Sequence, residues 1–343
     1  LRFFFSSTGS YLVQTYQRIV LAARPKGSVA PSDFRLETVP VPDISDGQLL
    51  IRNHFLSLDP YMRMRMEDIK SYAAPQAIDE VMVGGTVGEV VASKHPKFAA
   101  GDHVVGMQGW SEMGVSDGSM LRKVDSTHIP LSAYLGVVGM PGMTAWYGLN
   151  HILKLKPGQT LAVSAASGAV GSVVGQLAKL QGCRVVGIAG GKAKCDLVVN
   201  SFGFDACIDY KAGNLFKDLK AAVPDGIDGL FENVGGVVMD ATLAQMNPFG
   251  RVALCGLISG YDGQPMPIHA LHKVLSMRLM VQGFIITEHL DVWSQGLSEL
   301  GQLVAKQQLK YRETVSEGLA SAPEAFIGLL RGKNMGKQLV KLI

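Results

Sequence analysis

Leu161-Ala162-Val163-Ser164-Ala165-Ala166-Ser167-Gly168-Ala169-Val170-Gly171 decides how this chain is read. A short apolar strand, residues 161–164, runs into a glycine-bearing turn that opens a helical pattern over residues 168–180. Glycines at such a turn let the backbone approach a pyrophosphate, whose charge then sits at the helix N-terminus. The spacing departs from GxGxxG because Ala166 stands where the first glycine belongs, and a tight turn needs glycine even without a ligand. The neighbours decide for dinucleotide binding. Residues 184–189, 206–209, 229–233 and 250–255 are short apolar runs, and residues 194–202 read as a helix after the first of them. Strands alternating with helices mean βαβ units on a parallel sheet buried on both faces.

Upstream the rhythm differs. Residues 18–22, 48–52, 81–91 and 101–106 read as short strands punctuated by Gly and Pro, which indicates a β-rich, partly barrel-like domain. The tail has a helical stretch near residues 325–330 and ends in a strand, residues 338–342, placed to return to that first sheet. The expected division is a β-rich domain from residues 15–138 with 310–343, and a nucleotide domain from 139–309. Residues 1–14, with Phe3-Phe4-Phe5 and then Ser6-Ser7-Thr8-Gly9-Ser10, read as a flexible arm or an expression remnant.

The 343 residues suit two domains at roughly 150 each. With 47% hydrophobic and 18% charged residues the chain is not intrinsically disordered. An excess of 32 basic over 29 acidic residues is too small to name nucleic acid or an anionic membrane as partner. No run of 18 apolar residues marks a membrane span. Cys183, Cys195, Cys207 and Cys255 form no CxxC pair, which fits a reducing, cytoplasmic compartment.

An NAD site places Asp or Glu about 20 residues past the glycines, on the ribose hydroxyls. Here that position is Gly190-Gly191, followed by Lys192-Ala193-Lys194, and no acid lies between Gly171 and Cys195. The pattern favours NADPH, the alternative being two lysines that merely begin a solvated helix. A catalytic zinc needs three converging ligands, and the β-rich domain has no cysteine and no local ligand spacing among His54, His95, His103 and His128. A metal-free hydride transfer to an already polarised acceptor is therefore expected. Tyr261 follows a predicted strand, at the sheet edge where ligands bind, so its phenol can support the enolate of a reduced enone. A loop tyrosine packed with its hydroxyl in water is the equal alternative.

These residues resemble the zinc-independent medium-chain dehydrogenase/reductases, in the prostaglandin reductase / leukotriene B4 12-hydroxydehydrogenase group with its curcumin- and alkenal-reductase relatives. The resemblance runs from about Gln17 to the end. It rests on Ser57-Leu58-Asp59-Pro60-Tyr61-Met62-Arg63, Met140-Pro141-Gly142-Met143-Thr144-Ala145, residues 165–175, Phe231-Glu232-Asn233-Val234-Gly235-Gly236 and Gly332-Lys333-Asn334-Met335-Gly336-Lys337. It implies an α/β fold with a Rossmann doubly wound sheet beside a GroES-like, partly open barrel, and a homodimer. It implies that Gly168, Ala169, Val170 and Gly171 hold the pyrophosphate, and Gly191, Lys194 and Tyr210 the 2′-phosphate end of NADPH. Asn233, Cys255, Gly256, Leu257, Ile258, Ser259, Tyr261, Phe284, Ile285, Ile286 and Asn334 are implied to line the rest. Asn233 ends a predicted strand, where its amide can both donate and accept, with a turn role before Gly235-Gly236 as the alternative; Asn334 reads equally as a plain turn residue. Tyr61 is implied to be catalytic beside Tyr261, with Arg63 close by, although Arg63 also reads as a partner for a carboxylate. Met62, Met64 and Met66 are either core or an adaptable apolar wall. The implied activity is NADPH-dependent reduction of the C=C bond of α,β-unsaturated ketones and aldehydes. A quinone reductase and a non-catalytic NADPH-binding redox sensor are the rival readings.

Overall fold

In the computed structural model the described residues are 14–343, so the arm assigned to residues 1–14 lies, but for its last residue, outside them. The chain divides into two compact units. One comprises the residues up to Ser126 with Val315–Ile327 and Leu339–Ile343; the other comprises Thr127–Thr314 with Gly328–Gln338.

The first unit is built from antiparallel strands. β1 (Thr15–Leu21) pairs with β2 (Phe34–Pro40). The long β3 (Leu49–Ser57) is followed by a short helix, α1 (Tyr61–Arg65), and then by β4 (Thr86–Ser93), β5 (His103–Gly106), β6 (Met113–Ser116) and β7 (Arg122–Lys123). β3 pairs with both β4 and β6, β4 with β5, and β5 with β7. Leu49, Ile51, Val90 and Val104 from three of these strands form one buried cluster.

The second unit starts with α2 (Met140–Tyr147) and then alternates: β8 (Thr160–Ser164), α3 (Gly171–Leu180), β9 (Arg184–Ala189), α4 (Lys192–Asn200), β10 (Ala206–Asp209), α5 (Leu215–Ala222), β11 (Ile227–Glu232), α6 (Gly236–Leu243), β12 (Met246–Leu254). α7 (His272–Ser276), β13 (Met280–Gly283) and α8 (Trp293–Ala305) complete it. The strands are parallel in the order β10-β9-β8-β11-β12-β13. Counted within the unit that is 3-2-1-4-5-6, the order of the doubly wound Rossmann sheet that the resemblance implies. Burial on both faces explains the apolar runs: Ala162, Val186, Leu230 and Val252 pack on one face with Leu215, Leu219, Val238 and Leu243 from the helices, and Leu161, Val163, Val185, Phe231 and Ala253, which alternate with them, are buried on the other.

Two last strands close the chain, β14 (Glu313–Glu317) and β15 (Lys337–Lys341). β15 pairs antiparallel with β3, Leu339 opposite Ser57, and completes the seven-stranded sheet β14-β15-β3-β4-β5-β7 with β6 on β3. The tail strand therefore returns to the first sheet, giving the β-rich, GroES-like partner of the Rossmann unit.

Candidate dinucleotide site

β8 leads to β9 on one side of the sheet while its other neighbour, β11, leads away to β12. Ligands of open α/β sheets bind at the carboxyl ends of the strands at such a reversal. The end of β8 carries the turn 165–170 and the end of β11 the turn 233–235. Ala165 has φ +48°, in the left-handed region that costs an alanine about 1–2 kcal/mol. It is held there by hydrogen bonds on both sides: its own carbonyl accepts from Gly168 N–H at 2.9 Å, and Ala166 N–H donates to Ile188 O at 3.1 Å. A side chain on Gly171 would stand 3.0 Å from the Ala165 carbonyl carbon and 3.0 Å from Ala166 Cα, so glycine is required at the helix start. Ala166 replaces the fingerprint's first glycine at no steric cost, because Gly187 on β9 lies opposite; a Cβ there would come within 2.8 Å of the Ala166 methyl. α3 has no side-chain cap on its first N–H groups. Glycines without side chains at an uncapped helix N-terminus fit a pyrophosphate.

The two turns are tied together by one buried carboxylate. Glu232 is fully buried, and its Oε1 accepts from Ser164 Oγ at 2.9 Å, Val234 N–H at 2.6 Å and Gly235 N–H at 2.7 Å. The Ser164 hydroxyl in turn accepts from Asn233 N–H at 2.7 Å, while Asn233 Nδ2 donates to the Ser164 carbonyl at 2.8 Å. Glu232 Oε2 is buried with no hydrogen-bond partner. Burial outweighs the three donors and pushes the carboxyl up to about 7. Burial, then the Glu232 charge, pushes the Cys255 thiol up to about 12.

At the end of β9 the two lysines part company. Lys192 pairs with Asp196 at 2.7 Å one helical turn on, with its side chain 85% exposed, and so belongs to a solvated helix face. Lys194 is half-buried, donates to Gly332 O at 2.6 Å, and has its ammonium pushed down by burial and then by Lys211. Tyr210 lies over Gly190, where a Cβ would be 2.9 Å from its hydroxyl. Asp209 Oδ1 caps the turn by accepting from Gly191 N–H at 2.7 Å and Lys211 N–H at 3.0 Å.

The loop 255–261 is pinned to the β11 turn: Ile258 and Ser259 N–H donate to Asn233 O and Val234 O, and Ser259 Oγ donates to Val234 O at 2.6 Å. The Tyr261 hydroxyl folds back over its own loop and accepts from Leu257 N–H at 3.4 Å. Phe284 and Ile286 are buried; Phe284 packs edge-on to Phe231, and Ile286 O accepts from Trp293 Nε1. Ile285 between them is partly exposed. Asn334 Nδ2 donates to Gly336 O at 2.7 Å in a local turn, and Gly336 N–H donates to Ser167 O at 3.0 Å, which brings this segment against the glycine turn.

Family models match both parts of the chain: an N-terminal domain of oxidoreductase over residues 17–124, and a zinc-binding dehydrogenase domain over residues 169–302. The chain is 45% identical over 336 residues to the NADPH-dependent curcumin reductase of Escherichia coli (96% of this chain, 97% of that protein). It is 42% identical over 322 residues to prostaglandin reductase 1 of Sus scrofa (92% of this chain, 95% of that protein). The crystal structure of CurA in complex with NADPH from Vibrio vulnificus superposes with a TM-score of 0.91 at 45% identity, covering 95% of this chain and 99% of that one. The chain belongs to the medium-chain dehydrogenase/reductases.

In this medium-chain dehydrogenase/reductase no group of three His, Cys, Asp or Glu side chains converges to hold a metal ion among the described residues. Tyr61 lies in the first unit at the start of α1, partly buried, with its phenol pushed up by burial. Arg63 is buried and pairs with Glu67 at 2.5 Å, while donating to Gly27 O at 2.9 Å; it has the carboxylate partner that the sequence allowed. Met62 and Met66 are wholly buried core. Sequence reasoning missed Ser164, Glu232 as a tie, and Asp209 as a cap. The signal for Glu232 was present: an acid on the last residue of an apolar strand, before Asn-Val-Gly-Gly, has backbone N–H groups as its nearest partners.

Proposed function

We propose that the chain reduces the C=C bond of α,β-unsaturated ketones and aldehydes with NADPH. Identity of 45% over 96% of the chain to a curcumin reductase carries this reading, and the switch-point geometry supports it. Gly168, Ala169, Val170 and Gly171 receive the pyrophosphate. Gly191, Lys194 and Tyr210 receive the 2′-phosphate end, where the Asp209 carboxylate is taken up by the Gly191 and Lys211 N–H groups. Asn233, with its side-chain N–H groups turned to Ser164, leaves its amide oxygen for the nicotinamide half, and the loop 255–261, Phe284 to Ile286 and Asn334 line the remainder. When bound, NADPH supplies a hydride for the β-carbon of the acceptor. Tyr261 leaves its fold-back contact with Leu257 and donates its hydroxyl to the acceptor's carbonyl oxygen, stabilising the enolate; water protonates the α-carbon. Tyr61 is assigned to the substrate side, in the β-rich first unit.

We further assign a homodimer built on the edge of the parallel sheet. β13 is exposed along its whole length, with Met280 and Val281 36% and 39% exposed, and Leu271 and Leu275 nearby are 61% and 83% exposed. An apolar, unpaired strand edge of this kind is normally covered. Four free cysteines support a cytoplasmic location, and no described helix is long and apolar enough to cross a membrane.

The test is a panel of an alkenal, an enone and a benzoquinone, each with NADPH and NADH in parallel. Consumption of NADPH with the alkenal and enone, and product saturated at the C=C bond, is the expected result. Turnover of the quinone alone, or an NADH preference, overturns the reading.

A further inference from the structure

Beneath the end of the crevice assigned to the 2′-phosphate lie two thiols that the reaction does not use. Cys195 is on the first turn of α4, next to Lys194, and Cys207 is on β10, three residues before Tyr210. Their sulfurs are 2.7 Å apart, with Cys207 S–H donating to Cys195 Sγ. A disulfide bond is about 2.05 Å long, so little movement separates this pair from one. Cys195 is buried and Cys207 partly exposed, so a small reagent reaches Cys207 and the second thiol waits behind it. Cys183 Sγ instead rests on Lys156 O at 3.6 Å, and Cys255 lies under Glu232.

We propose that Cys195 and Cys207 form a reversible disulfide that fixes the 2′-phosphate end of the nucleotide crevice. The placement under that end rests on the cofactor reading above; the disulfide itself does not. The oxidant is a low-molecular-weight disulfide. Cys207 thiolate attacks one of its sulfurs and releases one thiol; Cys195 thiolate then attacks the Cys207 sulfur and releases the second. Two S–H bonds and the reagent's S–S bond break, one protein S–S bond and two small-molecule S–H bonds form, and the two electrons and two protons lost by the protein end on the reagent. Burial pushes both protein thiols up; the hydrogen bond that Cys207 donates adds to this at Cys207 and opposes it at Cys195. Exchange is therefore slow at neutral pH and quickens as pH rises. Because the sulfurs are already close, the bond freezes the arrangement in which Lys194 meets Gly332 and Tyr210 covers Gly190. Preorganising a site tightens binding.

The experiment equilibrates the whole protein with excess oxidised glutathione, alkylates the remaining thiols, and maps peptides by mass spectrometry. A Cys195–Cys207 cross-link two hydrogens lighter than the dithiol, reversed by dithiothreitol and absent from both Cys207→Ser and Cys195→Ser, is expected. The cross-linked protein is expected to show a KM for NADPH lowered about two- to fivefold, with the KM for NADH unchanged. Recovery of both cysteines alkylated, or separately glutathionylated, overturns the disulfide. A cross-link that leaves the NADPH KM unchanged overturns its coupling to the site. If Lys194→Ala does not alter the NADPH over NADH preference while the cross-link forms, the cofactor reading fails and the disulfide stands.

Discussion

Replacing Glu232 with glutamine probes the carboxylate that ties the two turns of the crevice. Its pKa stands at about 7 in the fold against 4.5 for the free side chain. Each unit of difference is worth about 1.4 kcal/mol, so ionising Glu232 in the folded protein costs roughly 3 kcal/mol in all. The sign follows from proton binding. Below pH 4.5 the group is protonated in both states and costs nothing. Between about 4.5 and 7 the unfolded chain has released the proton and the folded chain still holds it, so stability falls as pH rises. Above about 7 the full cost is in place. Glutamine has no such window. Its oxygen keeps the place of Oε1, and its amide N–H₂ takes the place of the unpartnered Oε2 at a cost of about 1–3 kcal/mol that does not vary with pH. Urea unfolding of both proteins from pH 4.5 to 8 isolates the effect, because every other titrating group cancels in the difference. The stability of Glu232→Gln relative to wild type is expected to rise by roughly 3 kcal/mol across that range. A difference that stays flat within about 1 kcal/mol means that Glu232 ionises as it does in water, and the argument from burial is wrong.

Further outcomes follow from the other assignments. Lys194→Ala is expected to raise the KM for NADPH by about 10- to 100-fold, the worth of one charge-assisted contact, and to leave NADH kinetics unchanged. Tyr261→Phe is expected to lower kcat for an enone by about 100-fold at saturating NADPH, with cofactor affinity unchanged; an unaltered kcat removes the tyrosine from the reaction. Val281→Lys places a charge on the exposed β13 edge, and analytical ultracentrifugation is expected to show monomer where the wild type shows dimer.

Periodicity and punctuation made much of the second unit legible. Residues 184–189 and 206–209 were bounded by glycine and charge, and both strands fall on those residues. The helix read from residue 168 starts at Gly171, because residues 165–170 form the turn that positions it. β13 escaped notice: it is four residues long and exposed, so it lacks the apolar run that marks a central strand. The fate of each lysine was also hidden, since Lys192 and Lys194 look alike in the chain. Only their helical phase and the nearness of Gly332 send one to Asp196 and the other across the crevice.

The alternation of strand and helix, the turn after residue 164 and the absence of an acid beyond it are legible in the chain as written. These are local properties, fixed by backbone sterics, side-chain period and the position of charge along a few residues. The tertiary structure decided which polar groups meet. Ser164 and Glu232 are 68 residues apart and become neighbours only because β8 lies beside β11. Cys195 and Cys207 meet because α4 packs back on β10. The strength of such contacts depends on exclusion of water. Apolar runs mark which strands are buried, but which polar group is buried beside which is a property of the assembled sheet.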